Sequence, residues 1–466
     1  MPKPIAAAAA KNENAVFAVF EEDAAEVVAG LKPAQATFLN ARSFSGKAGS
    51  LIVLPAEGGT MAAWFGLGAR KNYNPLAFRA LPSQLPKGTW TLKADAALDR
   101  HAIHAAWGFG SYVFTRYKSA DKKVEAILDD QDLSAAEKNA VAAEIRAHAL
   151  ARDLVNTPAN DMGPGEIADA ARAVAEAHNA DFSVIVGDDL LAQNYPAVHA
   201  VGRAASEDHA PRFIEIAWQG PGLDLPTVVL VGKGVAFDTG GLNIKPGGGM
   251  GLMKKDMGGA AHALALGDWI MATQLPVNLH ILIPAVENSI SGAAMRPSDV
   301  LQSRAGLTIE VGNTDAEGRL ILADALTRAR ELNPNLTIDF ATLTGAARVA
   351  LGPEVIPFYC DDEDIVRRLE VASIAQHDPM WRMPLWSPYK DALDSDIADV
   401  KNDPSGWAQA GSVTAALFLQ KFAPTSGAWV HFDIYAWNPR GRSGAPVGAE
   451  TQTLRAVFHL IRDIAG

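Results

Sequence analysis

The residues with the most evident chemistry lie in the octapeptide Asn-Thr-Asp-Ala-Glu-Gly-Arg-Leu at positions 313–320, where Asp315, Glu317 and Arg319 alternate. In an extended backbone, alternate side chains point the same way, so this spacing predicts two carboxylates and one guanidinium on one face. Two carboxylates on one face repel each other unless a cation lies between them. The octapeptide therefore predicts a cation site.

A second charged segment is rich in glycine. Residues 231–241 carry Lys233 and Asp238, and the chain continues to Lys245. A Walker phosphate loop needs Gly-x-x-x-x-Gly-Lys followed by Ser or Thr, and a dinucleotide loop needs a third glycine where this chain has Phe237, so nucleotide binding is disfavoured. Because both charged segments follow apolar strand candidates, we expect them at the same edge of a sheet.

Four carboxylates in these segments and just beyond them predict two metal ions. Asp238, Asp256, Asp315 and Glu317 carry about four negative charges, which two divalent cations would neutralise. Carboxylate ligands suit Mn²⁺, Mg²⁺ or a bridged Zn²⁺ pair, and two metals about 3.5–4 Å apart would activate a shared water. Taken singly, each acid could instead be an ordinary turn residue, and Arg319 could simply pair with Glu317.

The elements around these segments predict an α/β protein. The first 130 residues contain strand candidates at 16–20, 51–54 and 62–65 and a helix candidate at 98–117. From about residue 160, strand and helix candidates alternate, which predicts a mostly parallel sheet flanked by helices. The strand candidates are 182–186, 213–218, 227–231, 279–283, 307–311, 337–341 and 429–432, and the helix candidates are 165–178, 259–271, 320–332, 412–422 and 451–464.

The length of 466 residues predicts two domains. We place a small N-terminal α/β (macro-like) domain at 1–133 and a connecting helix at 134–159, which opens with a capping box at Ser134 and Glu137. The catalytic domain is placed at 160–466. The single cysteine, Cys360, is followed by acids that raise a thiol pKa, so we interpret it as structural.

The charge and hydropathy of the chain indicate its cellular location and the kinds of partner that it binds. The net charge of −12 argues against nucleic-acid and anionic-membrane binding. Residues 1–11 are only faintly signal-like, and no run reaches about 18 consecutive apolar residues. We therefore expect a cytoplasmic protein that does not cross a membrane.

The charged motifs resemble those of the leucyl aminopeptidases (cytosol aminopeptidases), a family of dinuclear metallopeptidases. The octapeptide at 313–320 matches the family signature in full. Val-Gly-Lys-Gly-x-x-x-Asp-x-Gly-Gly at 231–241, Ile-Lys-Pro at 244–246 and Lys-x-Asp-Met-Gly-Gly-Ala-Ala at 254–261 also match. The resemblance covers residues 150–433 and implies a hydrolase that removes the first residue of a peptide.

The resemblance also implies a role for each charged residue. Asp238 and Glu317 would bridge two divalent ions, Zn²⁺ or Mn²⁺ with Mg²⁺ as a further candidate. Asp315 would complete one ion's site, and Lys233, as a neutral amine, would complete the other with Asp256. Lys245 would polarise the scissile carbonyl. Arg319 would hold a bicarbonate ion that acts as general base on the water bridging the metals.

The family resemblance also implies a substrate pocket and an oligomeric state. Met253, Thr342 and Gly345 would form the wall for an apolar first residue, although Met253 could equally be ordinary core. The family pattern continues Ala-Gly after residue 434, whereas this chain has Tyr435-Ala436, so we expect its preference to depart from simple leucine selectivity. A homohexamer is implied. A DNA-binding regulator and a silent structural hexamer are the alternatives; the acidic charge disfavours the first, and the filled ligand positions disfavour the second.

Overall fold

The computed structural model describes residues 14–118, 124–404, 406–407 and 409–466, apart from the side chain at position 57. Residues 1–11, considered above as a faint signal sequence, lie outside the described residues. The chain divides into one compact unit of Met1–Ala149 with Arg440–Val447 and another of Leu150–Pro439 with Gly448–Gly466. The domain boundaries placed at 133/134 and 159/160 stay a prediction. None of the described helices is both long and apolar enough to cross a membrane.

The first unit is built on a sheet with the strand order β2-β3-β1-β4-β5, in which β2 is antiparallel to β3 and the other pairs are parallel. The strands are β1 Asn14–Phe20, β2 Leu51–Pro55, β3 Met61–Gly68, β4 Gly88–Lys93 and β5 Ala126–Leu128. The helices are α1 Ala24–Ala29, α2 Pro33–Ala41 and α3 Arg100–Ser111, with 3-10 turns at Glu21–Asp23, Glu57–Gly59, Arg70–Asn72 and Pro75–Ala80.

Strand β1 is apolar on both faces because both faces are covered. Val16 and Ala18 belong to one buried cluster, and Ala15 and Phe17 belong to another. A strand buried on both faces shows a continuous apolar run rather than alternation.

Two helix predictions near the end of this unit have different outcomes. The predicted helix at 98–117 is too long, since α3 begins after Asp99, whose side chain accepts the backbone N–H of Ala102. The chain then turns extended at Tyr112. The capping box at Ser134 is confirmed: its backbone N–H donates to Glu137, and its hydroxyl accepts from the Glu137 backbone. Helix α4 follows over Ala135–Asn156.

The second unit contains the larger sheet and most of the helices. Its strands are β6 Asp181–Val186, β7 Arg212–Gln219, β8 Thr227–Gly232, β9 Gly234–Asp238, β10 Asn278–Asn288, β11 Val300–Gln302, β12 Thr308–Glu310, β13 Leu336–Ala341, β14 Ile356–Tyr359, β15 Met380–Arg382, β16 Val400–Lys401, β17 Ala428–Asp433, β18 Trp437–Asn438 and β19 Gly448–Ala449. Its helices are α5 Pro164–Ala177, α6 Asp189–Ala192, α7 Pro196–Gly202, α8 Gly247–Met250, α9 Gly258–Ala272, α10 Glu317–Glu331, α11 Gly345–Leu351, α12 Glu363–Ala375, α13 Gly411–Gln420 and α14 Leu454–Ala465. 3-10 turns occupy Ala159–Asp161, Glu207–His209, Met253–Met257 and Ser387–Leu393.

The predicted fold class is confirmed. The large sheet has the order β15-β14-β17-β13-β8-β10-β7-β6, with β9 also paired to β10. The neighbours β17, β13, β8 and β10 are mutually parallel, and the antiparallel pairs lie towards the edges. Helix α9 packs against β8 and β13. Val229 and Val231 of β8 belong to a buried cluster that includes Leu322 of α10 and Phe418 of α13.

The prediction of an extended octapeptide is wrong. Residues 314–315 form a turn, and α10 begins at Glu317, so Glu317 and Arg319 are helical. The buried apolar pattern of α10 extends back to its first turn, where an acidic side chain is favoured by the helix dipole. The prediction that the strand before the octapeptide belongs to the large sheet is also wrong. This strand, β12, belongs to the small sheet β11-β12-β16.

A buried carboxylate joins α10 to α7. Asp324 of α10 accepts hydrogen bonds from the backbone N–H groups of Ala197 (2.9 Å) and Val198 (3.2 Å), in the first turn of α7. Its other oxygen accepts the backbone N–H of Arg304 at 2.8 Å. Asp324 therefore caps a helix that is distant in sequence, and two buried donors and one partly buried donor depend on it.

We expect Asp324→Ala to lower the free energy of unfolding by about 3 kcal/mol, because two buried N–H groups and one partly buried N–H group lose their acceptor. Urea denaturation monitored by circular dichroism measures this. The control is Asp169→Ala, which removes an exposed carboxylate of α5 and is expected to change stability by less than about 0.5 kcal/mol. Equal stabilities of the two variants would contradict the capping role.

Candidate metal centre

The glycine-rich segment lies where helix α9 packs closely against the large sheet. A Cβ at Gly232, the last residue of β8, would lie 2.6 Å from the Cα of Ala260 in α9. A Cβ at Gly259 would lie 2.0 Å from the carbonyl oxygen of Phe340 in β13. Only glycine permits this approach, which brings the start of α9 to the carboxyl ends of two parallel strands.

Three carboxylates from the two charged segments converge at this edge. Asp238 ends β9, Asp315 lies in the turn before α10, and Glu317 is the first residue of α10. One oxygen from each lies within 4.8 Å of the others. The expectation that the two segments meet is confirmed, although the helix and its preceding turn achieve it rather than a strand.

Two lysines lie between the acids. The ammonium of Lys233 is 2.7 Å from Asp256 and 3.1 Å from Glu317. The ammonium of Lys245 is 2.7 Å from Asp238 and 2.5 Å from Asp315. Six of the seven predicted charged residues, all except Arg319, are therefore in one cluster, and most of these six are buried.

Burial and mutual repulsion both act on the pKa values of the acids. Burial and the neighbouring Asp238 raise the pKa of Glu317 well above its usual value, and the same two causes raise the pKa of Asp315 to about 6. Burial lowers the pKa of Lys233, but the carboxylates of Asp256 and Glu317 raise it by more. Burial also lowers the pKa of Lys245, but Asp238 and Asp315 together raise it by more. The cluster thus favours added positive charge.

The donor set fits divalent cations. It consists of carboxylate oxygens with one lysine amine beside them, the chemistry that Mn²⁺, Mg²⁺ and bridged Zn²⁺ accept. Among the described residues, the buried Oε2 of Glu317 has no hydrogen-bond partner. A buried carboxylate oxygen without a donor is costly, and a bound cation would satisfy it.

Neutral side chains that the sequence analysis missed hold the acids in place. Asn288, at the end of β10, donates from Nδ2 to Asp238 (2.8 Å) and to the carbonyl of Thr314 (3.1 Å). The hydroxyl of Thr314 donates to the carbonyl of Gly240 (2.6 Å) and accepts the backbone N–H of Asn243 (2.8 Å). These bonds join the glycine-rich segment to the octapeptide. Uncharged residues without a recognisable motif offered no signal for this, apart from the place of Thr314 within the octapeptide.

Arg319 forms its ion pair with Asp403 and not with Glu317. Its guanidinium donates to the carbonyl of Asn402 at 2.5 Å and lies 3.6 Å from Asp403. Burial lowers the pKa of Arg319, and Asp403 opposes this. Asn402 also accepts the backbone N–H of Asn313 at 3.2 Å, so the loop after β16 holds both the octapeptide and the arginine. The simple alternative, a pair between Arg319 and Glu317, is wrong.

A cavity of about 420 Å³ opens onto the cluster. The predicted pocket residues Met253, Thr342 and Gly345 line it, as do the charged residues Lys233, Asp238, Lys245, Asp256, Asp315, Glu317 and Arg319. Thr342 also donates its hydroxyl to Asp256 at 2.8 Å.

Tyr435 is placed differently from the other predicted pocket residues. It lines a small neighbouring cleft with Arg348 and Ile434, and it is absent from the described lining of the 420 Å³ cavity. The next residue, Ala436, has a φ of 57°, a left-handed conformation that suits the glycine of the family pattern better than alanine. This departure from Ala-Gly therefore carries local backbone strain as well as added bulk.

Neither Cys360 nor His262 is among the residues that line the cavity. Cys360 is buried, and burial followed by Asp361 raises the pKa of its thiol to about 11, consistent with a structural role. His262, inside α9, hydrogen-bonds the carbonyl of Gly258 through Nδ1, and burial lowers its pKa to about 4.

Comparison with known proteins identifies relatives along nearly the whole chain. Residues 149–457 match the catalytic-domain model of the cytosol aminopeptidase family, and residues 17–128 match the N-terminal domain model of M17 aminopeptidases. A probable cytosol aminopeptidase of Geobacter sp. (strain M21) is 37% identical over 446 residues, covering 90% of each chain. One of Neisseria meningitidis serogroup A / serotype 4A (strain DSM 15465 / Z2491) is 40% identical over 381 residues, covering 80% of this chain and 79% of the relative.

Solved structures agree with this result. The cytosol aminopeptidase from Coxiella burnetii has a TM-score of 0.90 and 41% identity, covering 98% of both chains. The bottromycin maturation enzyme BotP in complex with Mn has a TM-score of 0.86 and 30% identity, covering 97% of this chain and 100% of the other.

We expect Asn288→Ala to weaken Mn²⁺ binding by about 10- to 100-fold, because Asp238 loses the donor that orients it. Isothermal titration calorimetry of the metal-stripped protein with Mn²⁺ measures this. Asn278→Ala is the matched control: Asn278 begins the same strand and donates to the carbonyl of Leu225 at 3.2 Å, far from the cluster. Unchanged affinity in Asn288→Ala would show that Asp238 needs no such support.

Proposed function

The chain belongs to the cytosol aminopeptidase family, and we propose how its metal centre performs the aminopeptidase reaction of that family. It is a metal-dependent hydrolase, a metallo-exopeptidase of the leucyl aminopeptidase type. The observation that carries the proposal is the meeting of Asp238, Asp315 and Glu317 within 4.8 Å, next to Lys245 and on a cavity of about 420 Å³.

We assign the charged residues to two divalent ions. Asp238 and Glu317 would be shared by both ions, Asp315 would complete one site, and Lys233 with Asp256 would complete the other. The support is that Lys233 lies between Asp256 and Glu317, while Asp315 lies on the other side of the cluster, next to Lys245. A lysine ligand must be neutral, and an adjacent dication lowers the pKa of the amine. Zn²⁺ and Mn²⁺ are the proposed ions, with Mg²⁺ as the third candidate; Mn is present in a complex of the similar enzyme BotP.

When bound, the ions would supply an activated water and Lewis-acid assistance, and a bicarbonate held by Arg319 would supply the general base. Lys245 then acts on the substrate. Its ammonium lines the cavity, and Asp238 and Asp315 keep it protonated by raising its pKa. A charged donor in this position polarises the carbonyl of the first peptide bond and stabilises the oxyanion that develops there.

Arg319 is the proposed seat of bicarbonate. Its guanidinium is buried, lines the cavity and is held by the carbonyl of Asn402. A planar guanidinium binds a planar oxyanion with two parallel hydrogen bonds. The proposal also accounts for the general base, because every carboxylate of the cluster is used as a metal ligand.

The free α-amine of a peptide confines the reaction to the first residue, since it alone offers an amine ligand next to the scissile carbonyl. Met253, Thr342 and Gly345 line the cavity and form the proposed wall for the first side chain, with apolar residues preferred. A homohexamer in the cytoplasm that does not bind nucleic acid is proposed from the family resemblance and the net charge of −12.

We expect Asp315→Asn to lose one of two bound metal ions and Lys245→Ala to lower kcat by about 100- to 1,000-fold with both ions retained. Metal content is measured by inductively coupled plasma mass spectrometry and activity with leucine p-nitroanilide. N-acetyl-leucine p-nitroanilide, which lacks the free amine, is expected to be inert.

Asp169→Asn, on the exposed face of α5, is the control for both measurements. Two metal ions in Asp315→Asn, or full activity in Lys245→Ala, would overturn the assignment of that residue. Cleavage of the acetylated substrate would overturn the requirement for an N-terminal residue.

A further inference from the structure

Two cations beside the metal cluster have no acidic partner. Lys255, in the 3-10 turn before α9, and Arg348, in α11, both line the 420 Å³ cavity. In the part of the chain that the structure describes, neither has a carboxylate oxygen within 4.0 Å. Lys255 is only 4% exposed. Burying an ammonium this deeply without a paired carboxylate costs free energy. An anionic group of a bound ligand would lower that cost.

The nearest acids are already engaged. Asp256 pairs with Lys233 at 2.7 Å and accepts the hydroxyl of Thr342. Asp433 accepts hydrogen bonds from the backbone N–H of Thr344 (3.0 Å) and from the hydroxyls of Thr344 (2.6 Å) and Ser412 (3.0 Å). Neither is free to turn towards the two cations, whose positive charge therefore faces the cavity.

Tyr435 holds these cations together. The Nζ of Lys255 lies 5.2 Å from the centre of the tyrosine ring, and the guanidinium carbon of Arg348 lies 4.5 Å from it. Cation–π contacts fix the direction of both side chains but do not cancel their charge. We call Lys255, Arg348 and Tyr435 the cationic wall. Lys254 offers a contrast, because its ammonium donates to the carbonyl of Asn156 and lies over Trp437, outside the cavity lining.

We propose that the cationic wall binds the side-chain carboxylate of the first residue, so that peptides beginning with Glu or Asp are substrates alongside those beginning with an apolar residue. Met253 and Thr342 line the same cavity and would contact the methylene groups of such a side chain, while Lys255 and Arg348 would bind its carboxylate. This inference rests on the proposed function, because it assumes that the first residue occupies this cavity.

The test compares two substrates of nearly equal shape. The p-nitroanilides of Glu and Gln differ only in that an amide NH2 of Gln replaces one carboxylate oxygen of Glu. We expect the wild-type kcat/KM to be about 10- to 100-fold higher for Glu than for Gln at pH 7. Lys255→Met is expected to lower this Glu/Gln ratio by at least about 10-fold, and Arg348→Met, at an exposed position, by a smaller factor. Lys254→Met is the matched control and is expected to keep the wild-type ratio.

Binding provides a readout that does not depend on turnover. Isothermal titration calorimetry of the Mn²⁺-loaded protein with free L-glutamate and L-glutamine should show tighter binding of L-glutamate in wild type and in Lys254→Met but not in Lys255→Met. A Glu/Gln ratio of one or less in wild type, or a ratio unchanged in both Lys255→Met and Arg348→Met, would overturn the inference. Leucine p-nitroanilide separates failure of the two proposals. If it is cleaved and Glu is not preferred over Gln, only the cationic wall is overturned, whereas resistance of the Leu, Glu and Gln substrates alike overturns the proposed function.

Discussion

The repulsion among Asp238, Asp315 and Glu317 is the constraint on which the site depends. Three carboxylates with oxygens within 4.8 Å, largely out of water, cannot all ionise without nearby positive charge. Burial first, and then the neighbouring charge of Asp238, raise the pKa values of Asp315 and Glu317. Lysines provide part of the positive charge, and the ions of a metal-dependent family provide the rest.

Holding such an arrangement requires a rigid frame. Neutral hydrogen bonds from Asn288 and Thr314 link the two charged segments without adding charge to the cluster. The glycines at 232 and 259 let α9 approach the sheet closely enough to place Asp256 beside Lys233. The frame is thus formed by residues with little chemistry of their own, and it is as specific as the acids it positions.

The cavity is lined by two kinds of cationic side chain, those paired with acids and those without a described acidic partner. Lys233 and Lys245 lie between acids and are part of the metal cluster. Lys255 and Arg348 lie beside it, share one aromatic ring and have no described acidic partner. This difference follows from which acids are already engaged, and it makes one side of the cavity selective for anions, while the apolar side chain of Met253 also lines the cavity.

The sequence by itself determined the fold class, the family and the identity of the charged cluster, because these depend on local apolar patterns and on motifs in which residue types are adjacent. It failed where distant residues decide the outcome. The octapeptide begins a helix because α10 packs into the core, and Asn288 reaches Asp238 across 50 positions. Tyr435 and Lys255 lie far apart in the chain. The sequence around each residue shows neither that their side chains meet nor that Lys255 has no carboxylate as a close partner. Burial and pairing belong to the folded chain, so only the tertiary structure could assign them.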